Sequence, residues 1–130
     1  MTGRAERTNS STDYSALWQQ RPEMLAAVID GRANILSMSP ALFRLMGFAT
    51  DTIIGGKLWD FIDMRTFDAT MKAVNDAALG RGKQTVVNAY TDAKGKLLWF
   101  RWTIPPPDAE GIFTSWAEQL SEAPAEFAKG

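Results

Sequence analysis

The chain has 130 residues, which fits one domain, and 45% of them are hydrophobic, which is enough for a core. Its formal charge of −1 provides no basic stripe for DNA or RNA, and no apolar run approaches the ~20 residues that span a bilayer. The absence of cysteine and histidine excludes disulfides, thiol nucleophiles, zinc–thiolate sites and the usual haem ligands. We therefore expect a cytoplasmic protein that binds neither nucleic acid nor a membrane.

The chain begins with a polar segment and one short amphipathic helix. Residues 1–12 are polar and lack any period, which predicts a disordered lead-in. Tyr14, Leu17 and Trp18 are spaced at i, i+3 and i+4, so they would share one face of a helix that ends before Pro22. This face predicts either a helix docked on its own core or a contact with a second subunit.

A hairpin and a capped helix follow. The apolar runs 24–29 and 35–38 flank Asp30-Gly31, which favours a β-hairpin. Ser39-Pro40 has the residue types that begin a helix, and Gly47 has the type that ends one in the left-handed conformation.

The middle of the chain is predicted to be helical. Residues 50–54 and 58–62 are each long enough for about one turn. The longest predicted helix covers roughly residues 65–79. Its apolar stripe consists of Phe67, Met71, Val74 and Ala78.

Three strands complete the predicted domain, at residues 84–90, 96–104 and 112–117. The second strand has two faces. Its first face consists of Leu98, Phe100, Trp102 and Ile104, and its second of Leu97, Trp99, Arg101 and Thr103. Residues from Glu118 onward are predicted to begin a helix. Two strands, several helices and three strands predict an α+β fold with an antiparallel sheet.

Several local patterns accompany this order of elements. They are Leu45-Met46-Gly47-Phe48, Ile54-Gly55-Gly56-Lys57, Trp59-Asp60-Phe61-Ile62, and Asp92 to Gly95 followed by Leu98-Trp99. In these patterns and their order the chain resembles the PAS family over residues 13–120. One departure is Asp63-Met64-Arg65-Thr66, where many members carry a His-Pro-Asp-Asp-type turn, so the subfamily is left open.

The resemblance implies a PAS-like fold, a five-stranded antiparallel sheet with short helices packed on one face and an N-terminal amphipathic helix. It makes residues 121–130 a tail or the start of an output linker. It also implies a regulatory domain of a bacterial-type sensor, such as a histidine kinase or a second-messenger enzyme, which forms a homodimer and signals to an effector domain or protein. In that case residues 118–120 would begin the output helix.

The resemblance also raises the question of a cofactor. Flavin chemistry through a cysteine adduct and a cysteine-tethered chromophore are both excluded, because the chain has no cysteine. Asn88 stands where flavin-binding members use an amide, but Phe100 stands where a second amide is expected. We expect no cofactor, with flavin bound without an adduct as the weaker alternative. Asn88 is better explained as a polar residue at the edge of a pocket or on a solvent-facing part of the sheet.

An inner pocket is the alternative functional site, for a small apolar or aromatic ligand. Its candidate residues are Trp59, Phe61, Phe67, Met71, Asn88, Phe100, Trp102 and Trp116. The same rings could instead fill a solid core, and the sequence leaves the two interpretations open.

The outer face of the sheet is the candidate partner site. Leu97, Trp99 and Phe113 would form an apolar patch there. Its predicted cover is the face of Tyr14, Leu17 and Trp18, either within one chain or across a two-fold axis.

Catalysis and metal binding are not predicted. Asp60 and Asp63 are the only paired carboxylates of interest, with Asp68 nearby, and their positions are typical of helix caps. No nucleophile–base arrangement or phosphate-binding loop accompanies them.

Overall fold

The computed structural model describes Tyr14 and residues 16–128, so the predicted lead-in 1–12 lies outside the described residues. A single five-stranded antiparallel sheet has the strand order β2-β1-β5-β4-β3. Its strands are β1 (Leu25–Asp30), β2 (Ile35–Met38), β3 (Gln84–Thr91), β4 (Leu97–Ile104) and β5 (Ile112–Leu120). The predicted α+β class with an antiparallel sheet is confirmed.

Helices lie between the hairpin and the last three strands, and one short helix follows the sheet. They are α1 (Pro40–Met46), α2 (Thr50–Ile53), α3 (Phe67–Ala78) and α4 (Ala125–Ala128). Single turns of 3-10 helix cover Leu58–Asp60 and Met64–Thr66, so the predicted long helix begins at Phe67 rather than at residue 65. No helix in the described part of the chain has the length and apolar character needed to cross a membrane.

Ser39 fixes α1 to the sheet. Its hydroxyl accepts hydrogen bonds from the backbone N–H of Leu42, at 3.4 Å, and from that of Ala26 in β1, at 3.0 Å. Gly47 ends the helix with φ of +80°, a conformation that costs glycine little because it has no Cβ. The sequence therefore places both ends of α1 correctly.

The inner face of the sheet carries the core. Ile29, Phe100 and Phe113 point toward α1 and α3 and are almost completely buried. The opposite, outer face is half covered, because residues 16–20 are helical and pack there. Trp18 lies against Ala26 and Val28 in a second, smaller cluster.

The predicted facing of β5 is wrong. Phe113 is 1% exposed and points into the core, whereas Trp116 is 40% exposed on the outer face. The register decides this, since Phe113 pairs with the inward-facing Ile29 and Trp116 pairs with the outward-facing Thr103. A shift of one residue exchanges the faces, and each face of β5 carries one large aromatic ring, so its own pattern does not choose between them.

The predicted end of β5 is also wrong. Residues 118–120 continue the strand instead of beginning an output helix, with Leu120 opposite Trp99. The Arg101 guanidinium donates to the Glu118 carboxylate at 3.0 Å across this pair of strands. The helical turn comes only after Pro124, at α4.

The N-terminal helical residues do not cover the patch predicted for them. Tyr14, Leu17 and Trp18 all belong to the cluster on the β1–β2 half of the sheet, with the Trp18 Nε1–H donating to the Ser37 hydroxyl at 3.1 Å. Trp99, on the other half, is covered by Phe127 of α4. The outer face is thus covered from both ends of the described chain, by two separate contacts.

Candidate functional site: the inner cavity

A cavity of about 40 Å³ lies between the inner face of the sheet and the helices. We call it the inner cavity. Most of its wall is aliphatic or aromatic. It is lined by Ala27, Ile29, Ile35, Met38, Leu42, Met46, Ile53, Leu58, Phe61, Thr70, Val74, Asn88, Tyr90, Trp102, Ile104 and Ser115.

Three buried polar atoms in this wall have no hydrogen-bond partner in the described part of the chain. They are Asn88 Oδ1, Trp102 Nε1 and Ser115 Oγ, and we call them the polar trio. Their residues are only 1%, 3% and 5% exposed. An unpaired buried polar group costs roughly 1–3 kcal/mol, so three of them lining one cavity are a specific feature of this chain.

The sheet brings the polar trio together. Trp102 lies on β4, between Val86 on β3 and Ala117 on β5. Asn88 and Ser115 are each two residues from those partners, so both are diagonal neighbours of Trp102 on the inner face. Each of them lies roughly 7–8 Å from Trp102. Asn88 is level with Phe100 and Ser115 lies beyond Trp102 in the other direction, so a small molecule that bonds to Trp102 reaches one of the two.

The orientation of the Asn88 amide is fixed by its neighbours. Thr70 donates its hydroxyl proton to the Thr66 carbonyl at 2.8 Å. The Thr70 oxygen therefore accepts from Asn88 Nδ2, at 3.1 Å, and the Tyr90 hydroxyl lies 3.5 Å from the same nitrogen. Because both contacts use the amide nitrogen, the amide oxygen is the atom left for the cavity.

Tyr90 adds a neutral hydroxyl to the wall. Burial raises the pKa of the Tyr90 phenol well above its ordinary value, and the hydrogen bond from Asn88 offsets only part of that rise. The phenol is thus protonated throughout the physiological range. Among the described residues that line the inner cavity, none carries a charged side chain.

Some of the predicted pocket residues reach the inner cavity and others do not. Asn88, Trp102 and Phe61 line it. Phe100 is buried in the solid core, with its ring centroid 6.0 Å from that of Trp102. Phe67 and Met71 are half-buried at the margin of the core.

Trp59 and Trp116 do not belong to the site. Trp59 is 45% exposed, because its 3-10 turn buries Leu58 on the inner side instead. The Trp59 ring packs edge-on against Phe67 at 6.1 Å, with the Lys57 ammonium 5.2 Å from its centre. Trp116 lies on the opposite face of the sheet, as described above.

Sequence reasoning missed Ser115. Ser115 and Trp116 are adjacent in β5 and therefore face opposite sides of the sheet. Because Trp116 was predicted to face the inside, Ser115 was predicted to face the outside. The signal was its place between Phe113 and Ala117, two residues that the register puts on the inner face.

The predicted partner patch is divided by the structure. Phe113 is in the core, and Trp99 is only 8% exposed, whereas Leu97 is 37% exposed. Trp99 is covered by the Phe127 ring, with centroids 5.0 Å apart, and the Arg65 guanidinium lies 5.8 Å from each of the two rings. The exposed apolar residues that remain on this face are Leu97 and Trp116.

One antiparallel sheet with helices enclosing a cavity on one side defines a small α+β domain. Solved structures identify the fold more closely. The PAS domain of an HTR-like protein from Haloarcula marismortui has a TM-score of 0.66 and 16% identity, over 92% of this chain and 100% of that one. The PAS domain of the Cronobacter turicensis RpfR quorum-sensing receptor, in complex with BDSF, has a TM-score of 0.64 and 14% identity over 76% and 95% of the two chains.

A PAS domain from a two-component sensor histidine kinase gives the same result, with a TM-score of 0.65 and 10% identity over 85% of this chain and 99% of that one. No family model and no curated protein matches the chain. The chain has the fold of PAS sensor domains.

Proposed function

We propose that this chain is a regulatory, non-catalytic sensor domain that detects a small molecule in the inner cavity. The observation that carries the proposal is the polar trio, which faces an otherwise apolar cavity. Ligand sites commonly combine an apolar wall with a few convergent polar groups that fix the orientation of the ligand.

The polar trio also argues against a purely structural role for the cavity. A core selected only for stability would replace these atoms with apolar groups, because unpaired buried polar groups lower the free energy of unfolding. A ligand that forms hydrogen bonds with these atoms removes this destabilisation when it binds. The RpfR domain of the same fold, which was solved with BDSF, supports a ligand-binding role by analogy.

Size limits the ligand. An engineered cavity that holds benzene is about 150 Å³, nearly four times the volume found here. A flavin ring therefore does not fit the cavity in this shape, and the ligand has only a few non-hydrogen atoms.

The test is a screen of small metabolites by thermal unfolding, together with a comparison of native and denatured masses of the purified protein. Two substitutions of the same kind provide the variant and its control. Trp102→Phe removes the inward-facing indole N–H, and Trp116→Phe changes a ring on the outer face.

The proposal predicts a retained mass, or a stabilising compound, whose effect is lost in Trp102→Phe and kept in Trp116→Phe. It is contradicted if neither method finds a molecule whose effect depends on Trp102.

A second proposed function is homodimerisation through the outer face, as in a domain that passes a signal to an effector within a histidine kinase or a second-messenger enzyme. The observation in its favour is Trp116, a 40% exposed indole near the middle of that face. Large exposed aromatic rings on a sheet are typical of interaction sites.

The test compares Trp116→Ser with Trp59→Ser by analytical ultracentrifugation over a range of concentrations. Both substitutions remove a half-exposed indole, but on different sides of the domain. If the dimer forms through the outer face, Trp116→Ser should weaken dimerisation and Trp59→Ser should not. A monomer at high concentration, or equal effects of the two substitutions, would exclude it.

A further inference from the structure

We infer that the ligand of the inner cavity is uncharged and carries a hydrogen-bond donor next to a hydrogen-bond acceptor, as a primary amide or a hydroxyl does. This inference rests on the proposed sensor function.

The ligand needs a donor because Asn88 offers an acceptor. The chain of bonds from Thr66 through Thr70 uses the amide nitrogen of Asn88 and leaves Oδ1 for the cavity. A carbonyl oxygen of this kind is satisfied only by an N–H or O–H group.

The ligand needs an acceptor because Trp102 offers a donor. The indole Nε1–H has no lone pair to share, so only an oxygen or nitrogen acceptor satisfies it. Ser115 Oγ lies on the other side of Trp102 from Asn88, and because a hydroxyl takes either role it does not choose between the two.

The ligand is uncharged because nothing in the described wall balances a charge. A carboxylate or ammonium buried there without a partner would pay a large desolvation penalty. Tyr90, the titratable group that lines the cavity, stays neutral because burial raises its pKa. The described groups that face it in the wall include the neutral Asn88, Thr70 and Trp102.

Three probes of nearly equal shape separate these requirements. Acetamide is neutral and has a donor and an acceptor, acetone is neutral and has only an acceptor, and acetate is charged. The readout is the indole N–H resonance of Trp102 in a ¹H–¹⁵N NMR spectrum, assigned with Trp102→Phe. It is titrated with each probe and with dissolved xenon, which reports apolar access to the cavity.

We expect acetamide to shift this resonance with an affinity at least tenfold higher than that of acetone, and acetate to leave it unchanged. Asn88→Leu, which keeps the number and branching of the side-chain non-hydrogen atoms but removes the acceptor, should reduce the preference for acetamide over acetone to about one. The matched control is Asn75→Leu on the exposed surface of α3, which should preserve the preference.

Other results would overturn the inference in distinguishable ways. If acetone or xenon enters and acetamide has no advantage, the assignment of the ligand class is wrong while ligand binding in the cavity stands. If acetate binds best, the argument from charge is wrong. If no probe enters, the proposed sensor function fails as well. The probe series on the unmodified protein gives this answer even if Asn88→Leu does not fold.

Discussion

The rings of Trp99 and Phe127 pack against each other on the outer face of the sheet, with centroids 5.0 Å apart. The pair joins β4 to the turn of helix that follows β5, and Arg65 lies over both rings. Trp99 is next to Phe100 and three residues from Trp102, and these two point to the core and the inner cavity on the other side of the same strand. The C-terminal turn is therefore docked directly behind the candidate site.

Phe127→Ala should lower the free energy of unfolding by about 1–2 kcal/mol, because it removes an aromatic pair and uncovers Trp99. Urea unfolding followed by tryptophan fluorescence measures this change. Glu126→Ala, on the exposed side of the same turn, is the control and should change stability by less than ~0.5 kcal/mol. If both substitutions have the same small effect, the contact does not stabilise the domain.

Arg65→Met should raise the pKa of Asp63. Hydrogen bonds from the Arg65 side chain, at 2.7 and 3.0 Å, hold that pKa below its ordinary value of 3.8, although partial burial opposes this. Because the folded-state pKa is lowered, the resulting stability is complete above pH 3.8 and is lost as the pH falls through the lowered value. The pKa of Asp63 is measured by NMR titration of its carboxyl carbon. It should rise toward the ordinary value in Arg65→Met but not in Arg44→Met, which alters a distant exposed arginine. An unchanged pKa of Asp63 would show that the pair does not persist in solution.

Phe113→Ala should cost about 3–5 kcal/mol of unfolding free energy, as large-to-small changes at buried aromatic positions do. Trp116→Ala removes a larger ring but should cost clearly less, since much of that ring is already in water. Chemical denaturation of the two variants compares them directly. A larger loss of unfolding free energy in Trp116→Ala than in Phe113→Ala would mean that Trp116 faces the core, as expected from the sequence.

Ser115→Ala should leave the ligand-free protein as stable as before or stabilise it by up to about 1 kcal/mol, because the hydroxyl that is lost belongs to the polar trio. Ser37→Ala is the matched comparison and should destabilise by about 1 kcal/mol, since its oxygen accepts the Trp18 hydrogen bond. Thermal and urea unfolding measure both. A clear loss of stability in Ser115→Ala would show that its hydroxyl is bonded in the ligand-free protein.

The sequence predicts most of the elements because their signals are local. Ser39, Pro40 and Gly47 place α1, and the two-residue alternation of β4 assigns Phe100 and Trp102 to one face and Trp99 to the other. Position along the strand and the resemblance are also sufficient to select Asn88 for the site.

The errors concern contacts between residues far apart in the sequence. The facing of Trp116 depends on the register of β5 with β1 and β4, and its last residues are extended because they pair with β4. Ser115 is recognised as a residue of the inner cavity only once that register is known. The cover of Trp99 depends on a helical turn almost 30 residues away, which no local pattern connects to it.

The most direct test of the account is the Trp102 indole N–H resonance before and after any bound molecule is removed by unfolding, extraction and refolding. The account predicts that the resonance moves upfield when its acceptor is lost and returns when the extract is added back. The same cycle should leave the Trp116 indole resonance unchanged. If the Trp102 resonance is identical in both preparations, and no extract or neutral amide shifts it, the inner cavity is not a ligand-sensing site.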